Sequence, residues 1–268
     1  MNEMQAGFYK NPPGRVEADL VRTWLAEAVA VDHYARAAAS LGLWHSEDRI
    51  LRRVFRPSDR VLDVGCGAGR VALALARLGF AAVVGIDNCP PMVAEARRLA
   101  EAMGLDVSFW DGDALALPFP EASFGGAVFA FNGLMQIPGR ANRRRALGEL
   151  HRVVVPEGKL VFTTHDREMA CQAPYWKEEA DRWRTGAQDP ALVEFGDRVI
   201  HNPEGHIFIH VPDRAEVLED LAATRWAWME DHARSQVTNE PAEVREFADE
   251  CRFWIARRTS IRAAAGTS

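Results

Sequence analysis

The chain has 268 residues, 48% of them hydrophobic and 26% charged, enough apolar material for the core of one large domain or two small ones. A formal net charge of −6 gives no support to a nucleic-acid partner, which needs a basic face. Cys66, Cys89, Cys171 and Cys251 are scattered without a Cys-x-x-Cys spacing, which argues against a zinc knuckle or a dithiol motif and for free thiols in a reducing compartment.

Met1 to Gln5 carry neither a basic region nor an apolar run, so no signal peptide is expected, and no stretch approaches the roughly 18 apolar residues of a membrane span. The expectation is a cytoplasmic protein without membrane partners. Residues 1–14 read as a polar, Gly- and Pro-containing arm. From Val16 to Phe55 the pattern is helical, with Leu20, Trp24, Leu25, Ala28 and Val31 at three-to-four spacing. Residues 1–55 are therefore predicted as an arm and helical cap, ahead of a main domain over 56–268.

From Arg60 strands and helices alternate. Val61–Val64 is a strand, Arg70–Leu78 a helix closed by Gly79, and Ala81–Ile86 a strand. Pro90–Met103 is a helix with proline at its start, where the missing N–H costs nothing. Leu105–Trp110 and Gly126–Phe131 are strands, Asn142–Val154 is a helix ended by Pro156, and Gly158–Thr164 is a fifth strand. Short strands separated by helices of this length predict a mostly parallel sheet covered on both faces, of α/β class. The rhythm stops after His165, and residues 166–205 read as an irregular, lid-like insertion with Tyr175, Trp176, Trp183 and Phe195 among charges. Ile207–Val211 reads as a strand, and Asp213 with Glu216 as a capping box opening a helix. Two closing strands are placed at Trp226–Glu230 and Arg252–Ala256, with a helical piece near Ala242–Ala248 between them. The Arg143-Arg144-Arg145 run reads as a solvated helix face. His201, His206 and His210 carry no metal prediction, because their spacing does not share one face and Ile207 and Ile209 look like the inward set.

Four features fall at successive strand ends. Asp63 precedes Gly65, Gly67 and Gly69; Asp87 ends the second strand; Asp113 follows the third; Asn132 follows the fourth. In an open α/β sheet, ligands bind outside these carboxyl ends. An acid about 20 residues past a glycine loop suits the hydroxyl pair of a ribose. The glycines depart from Gly-x-Gly-x-x-Gly, and Asp63 would repel phosphate and favour an ammonium group, which disfavours a pyrophosphate ligand. No Gly-Lys-Ser/Thr follows, so a P-loop is absent.

Residues 60–165 resemble a class I S-adenosylmethionine-dependent methyltransferase of the small-molecule type. The resemblance is carried by Val61-Leu62-Asp63-Val64-Gly65-Cys66-Gly67-Ala68-Gly69, Gly85-Ile86-Asp87, Met92, Gly112-Asp113-Ala114, Leu117-Pro118-Phe119 and the stretch Leu150 to Leu160. It implies a Rossmann-like sheet of seven strands. It implies that Asp63, Gly65, Cys66 and Gly67 hold the methionine end of the cofactor, and that Asp87 takes the ribose hydroxyls. Asn88, Met92, Asp113 and Ala114 would serve the adenine side, Asn132 would sit by the sulfonium, and Tyr34 would contact cofactor or substrate from the cap. Phe124-Gly125-Gly126 departs from the family's Phe-Asp, and Cys89 from its Ser. His165, beside Asp166 at the end of the fifth strand, is the candidate general base. The implied activity is transfer of a methyl group from S-adenosylmethionine to a small-molecule acceptor, with S-adenosylhomocysteine as product. A nicotinamide-dependent oxidoreductase and a non-catalytic S-adenosylmethionine-binding regulatory protein are the competing readings. Oligomeric state and the acceptor atom stay open.

Overall fold

The computed structural model describes residues 14–170, 172–202 and 205–260. Nearly all of the expected N-terminal arm, and Cys171, lie outside the described residues. Three helices come first: α1 (Ala18–Leu25), α2 (Ala28–Ser40) and α3 (His45–Val54). Then β1 (Arg60–Val64), α4 (Arg70–Arg77), β2 (Ala82–Asp87), α5 (Pro90–Met103), β3 (Ser108–Asp111) and β4 (Phe124–Phe129) follow in alternation. A 3-10 turn at Leu134–Gln136 leads into α6 (Arg140–Val153) and β5 (Val154–Thr164). The remainder is α7 (Ala173–Thr185), β6 (Asp197–Asn202), β7 (Gly205–His210), α8 (Arg214–Ala223), β8 (Trp226–Ala233), α9 (Arg234–Val237), α10 (Ala242–Phe247) and β9 (Arg252–Arg258).

The main sheet has seven strands in the order β3-β2-β1-β4-β5-β9-β8. β1 to β5 pair in parallel, and β9 runs antiparallel between β5 and β8. The order reverses at β1, which puts a crevice beyond the carboxyl ends of β1 and β4. Successive residues of each strand point to opposite faces. Val61, Val83, Val128, Val161 and Ile255 therefore pack under the α2–α5 side, while Leu62, Val84, Leu160, Phe162 and Trp254 pack under α6 and α8. This two-sided burial is why the central strands read as continuous apolar runs.

Helix α5 has the predicted bounds because both ends are chemically marked, by proline in its first turn and by Gly104 in the left-handed conformation (φ +64°) at its end. Three expectations change. The 166–205 segment is not irregular: it contains α7, and β6 pairs with β7 in a separate two-stranded hairpin. Pro156 does not end α6 but lies inside β5, which already begins at Val154. The arginine run is a solvated face only at Arg145, which is exposed. Arg143 is 4% exposed and reaches Glu194 and Glu216, Arg144 reaches Asp220, and Arg145 donates to the Leu115 carbonyl. His210 is buried beside Ile209, because successive residues Phe208, Ile209 and His210 at the end of β7 are all covered. Its Nδ1 faces Asp197 at 2.8 Å and its Nε2 faces Glu216 at 2.7 Å. Asp213 caps α8 by accepting the Glu216 N–H at 2.8 Å. The Glu216 carboxylate is drawn instead to His210, Arg143 and Arg167, which holds its pKa down at about 2 against the opposing effect of burial.

Candidate functional site

The turn after β1 takes left-handed backbone at Gly65 (φ +61°), Gly67 (φ +52°) and Gly69 (φ +87°), and Gly69 caps α4. A Cβ at Gly65 would lie 2.9 Å from the Phe129 ring, so a side chain there fails on both space and conformation. At Gly67 a Cβ would meet nothing within 4 Å, so bare backbone faces the crevice. The loop's amides are largely engaged. Cys66 N–H donates to the Ile86 carbonyl, Gly69 N–H to the Cys66 carbonyl and Gly67 N–H to Asp87 Oδ2.

Asp87 is the hinge of the site. Its Oδ2 accepts from Gly67 at 2.8 Å and its Oδ1 from Cys89 at 2.9 Å, and burial raises its pKa against those bonds. A carboxylate has about four lone-pair sites, so roughly two remain for a ligand. Asp63 is 2% exposed and accepts the Ala72 N–H at 3.0 Å, which ties β1 to the first turn of α4. Burial pushes its pKa up to about 7, and the nearby Arg70 guanidinium only partly offsets this. Arg70 is itself locked in a buried pair with Glu47 of α3, at 2.7 Å through one of its two bonds. Asp113 stays exposed and closes a tight turn by accepting the Leu115 N–H at 2.8 Å.

Two adjoining cavities run along these strand ends. One, of about 590 Å³, lies between Asp63, Gly65, Cys66, Gly67 and Met92 on one side and Leu25, Tyr34 and Ala37 on the other. The second, of about 680 Å³, lies between Asn88, Asp113 and Ala114 and the α1 residues Ala18, Val21 and Arg22. They share Leu25, Gly65, Asp87 and Gln136, so the Asp87 carboxylate stands at their junction.

Nine of the sequence-predicted residues, from Asp63 to Ala114, therefore line one continuous cleft, and Tyr34 joins them from α2. Asn132 lies just behind it, at a left-handed turn shared with Phe131 (φ +64° and +45°). Such strain in two successive residues is typical of functional sites. The Tyr34 hydroxyl is raised in pKa by burial, partly offset by the neighbouring Gln136 and Asn132 amides. Asn132 Oδ1 and Gln136 Nε2 are buried and make no hydrogen bond of good geometry. His165 is placed apart: it lines neither cavity, its Nδ1 lies 2.9 Å from the Glu250 carbonyl, and burial lowers its pKa. The cleft also uses Leu25, Arg22, Arg70 and Gln136, which sequence reasoning missed. Of these only Arg70, directly after the third glycine, carried a positional signal. Cys66 and Cys89 are buried, and burial raises both thiols, so they are protonated at neutral pH.

Chemically the cleft offers an acid toward a cation, a carboxylate toward a diol and a polar turn toward a ring. It does not suit a pyrophosphate, because three carboxylates, Asp63, Asp87 and Asp113, line it and three loop amides already donate elsewhere.

A family model described as a methyltransferase domain matches residues 61–158. The chain is 50% identical over 103 residues to a demethylmenaquinone methyltransferase of Thermus thermophilus, covering 38% of this chain and 45% of that protein. It is 38% identical over 110 residues to a 2-phytyl-1,4-naphtoquinone methyltransferase of Synechocystis sp., covering 40% of this chain and 44% of the other. The chain thus spans less than half the length of either relative. Among solved structures, a SAM-dependent methyltransferase of Methanosarcina mazei superposes with a TM-score of 0.64 at 23% identity, over 81% of this chain and 99% of that one. The [4+2]-cyclase SpnF superposes with a TM-score of 0.62 at 20% identity, over 92% and 98%. At these identities the two structures speak for the fold. The matched span runs from β1 into β5 and contains the strand ends that build the cleft floor, so it is over the cleft-forming part of the sheet that the chain is similar to a methyltransferase domain.

Proposed function

We propose that this chain transfers a methyl group from S-adenosylmethionine to a small-molecule acceptor. The observation that carries the reading is Asp87, whose carboxylate stands at the junction of two cavities of different chemistry with lone pairs to spare. The chain's residues fit a ligand with three distinct ends. Asp87 would hold the ribose hydroxyls. Asp63 and the bare backbone at Gly65 and Gly67, with Cys66 beside them, would take the amino-acid end. The orphaned Asn132 Oδ1 would gain a polar partner there. Asn88, Asp113 and Ala114 would face the adenine, with Met92 packed beneath.

When bound, S-adenosylmethionine supplies a methyl group already activated on a sulfonium. The protein then has to orient donor and acceptor in line and exclude water, which is worth up to about 7–11 kcal/mol in favourable cases. Tyr34 and Leu25 cover the cleft from above. A base is needed only for an acceptor that must lose a proton. His165, which lines neither cavity, would serve as that base only toward an acceptor that extends past the cleft to its Nε2, since Nδ1 meets the Glu250 carbonyl. The relatives named for quinone substrates support an acceptor of small-molecule size. No described helix is long and apolar enough to cross a membrane.

Calorimetric titration with S-adenosylmethionine and S-adenosylhomocysteine tests the donor, with micromolar affinity expected. Labelled-methyl incorporation across an acceptor panel tests transfer. No binding of either nucleoside refutes the reading, and binding of NADH in their place restores the oxidoreductase. Binding without product for every acceptor favours the non-catalytic binder.

A further inference from the structure

An aromatic column stands at the outer side of the first cavity. The ring of Phe131, which lines that cavity, stacks on Phe247 of α10 with centroids 5.1 Å apart and planes at 28°. Phe247 stacks in turn on His33 of α2, at 5.0 Å and 14°. The Phe247 ring is thus stacked on both Phe131 and His33. Trp44 meets Phe131 edge-on at 5.3 Å and fixes its tilt. The Phe131 backbone is held in its left-handed conformation, with its N–H donating to Thr163 Oγ1 at 2.8 Å.

The two walls and the filler differ in how firmly they are held. Downstream of Phe247 the backbone is pinned. Arg234 donates to the Ala248 carbonyl at 3.1 Å and, through its main chain, to the Cys251 carbonyl at 2.8 Å. Ser235 N–H reaches the Glu250 carboxylate at 3.0 Å, and His165 meets the Glu250 carbonyl. Phe247 itself is half-buried and is the last residue of a six-residue helix. Turning its side chain outward about χ1 would leave those backbone hydrogen bonds intact.

We propose that the methyl acceptor is a flat aromatic ring, and that it binds between Phe131 and His33 in the space the Phe247 side chain fills. This rests on the methyl-transfer reading above, which assigns the amino-acid end of the donor to the cavity that Phe131 lines. Offset stacking at these separations is the favoured arrangement for aromatic pairs. The slot accepts a ring by its thickness, so it selects planar over saturated rings of the same outline. Phe247 is a placeholder that competes with the acceptor, and Phe131 and His33 are the walls that select it.

The test is calorimetric binding of 2-naphthol and decahydro-2-naphthol to the S-adenosylhomocysteine-saturated protein, with nucleoside affinity measured in parallel. The wild type is expected to prefer the planar compound. Phe247→Ala is expected to tighten 2-naphthol binding about three- to tenfold, the usual cost of displacing one ordered side chain. Phe247→Trp, which preserves packing, is expected to weaken it, and neither change should move nucleoside affinity. Equal affinity for the two compounds overturns the slot. So does weaker or unchanged 2-naphthol binding in Phe247→Ala, or no binding of it by nucleoside-saturated wild type. Those results leave the methyl-transfer reading standing; failure of the wild type to bind the nucleoside removes both.

Discussion

Replacing Asp87 with alanine separates two jobs that one carboxylate performs. Within the protein it accepts the Gly67 and Cys89 amides at 2.8 and 2.9 Å, so its loss frees two partly buried N–H groups. At a net 0.5–1.5 kcal/mol per bond, the ligand-free protein should lose about 1–3 kcal/mol of stability. Toward the ligand, the lost contact is a charge-assisted hydrogen bond worth about 1.5–3 kcal/mol, or roughly 10- to 100-fold in affinity. Urea denaturation without ligand reads the first effect, and calorimetric titration of the folded variant with S-adenosylhomocysteine reads the second. Asp87→Asn keeps one acceptor oxygen and should fall between wild type and alanine in both. Unchanged nucleoside affinity in folded Asp87→Ala removes Asp87 from the ribose role, and unchanged stability refutes its part in holding the glycine loop.

Asp63 and His210 make opposite chemical groups behave alike with pH. Burial raises the Asp63 carboxyl from its ordinary 3.8 to about 7, so its contribution to stability is full below about pH 4 and is lost as pH rises through about 7. Asp63→Asn should flatten that part of the urea-midpoint profile, and an unchanged profile contradicts the assignment. At His210, burial lowers the pKa, but the bonds to Asp197 and Glu216 outweigh it and the net shift is upward. Its stabilisation is present below about pH 6.5 and lost as pH climbs through the raised value, and His210→Gln should abolish this alkaline loss in a Tm series. The same slope in wild type and variant refutes the claim. Glu47→Ala strands the Arg70 guanidinium, whose side chain is 9% exposed, and should cost about 3–5 kcal/mol in urea unfolding; a loss under about 1 kcal/mol, the range of exposed pairs, contradicts it.

The sheet was legible because its elements carry their own boundaries. The apolar runs of β1, β2 and β4 end in acids, glycines or an asparagine turn, and α5 is bracketed by Pro90 and Gly104. The carboxylates at the cleft were legible for the same reason, since strand ends fix their positions whatever the rest of the chain does. The insertion was not. Helix α7 buries little more than Trp176 and Glu179, and its outward charges pair within the helix, so its apolar periodicity is thin. Strand β6 shows no alternation because Arg198, Val199 and Ile200 are all half-buried, while Phe208, Ile209 and His210 at the end of β7 are all buried. The arginine run misled because its carboxylate partners, Glu194, Glu216 and Asp220, lie 51 to 76 residues away in sequence. Glu47 and Gln136 were invisible for a related reason: each gains its role only when α3 or the 3-10 turn packs against the glycine loop.

A crystal structure with S-adenosylhomocysteine bound tests the central claim most directly. The ribose hydroxyls should lie within hydrogen-bonding distance of Asp87, the adenine should sit between Asp113 and the α1 residues, and the sulfur should point toward Phe131. A nucleoside bound elsewhere, or one whose ribose leaves Asp87 bonded only to Gly67 and Cys89, would contradict it.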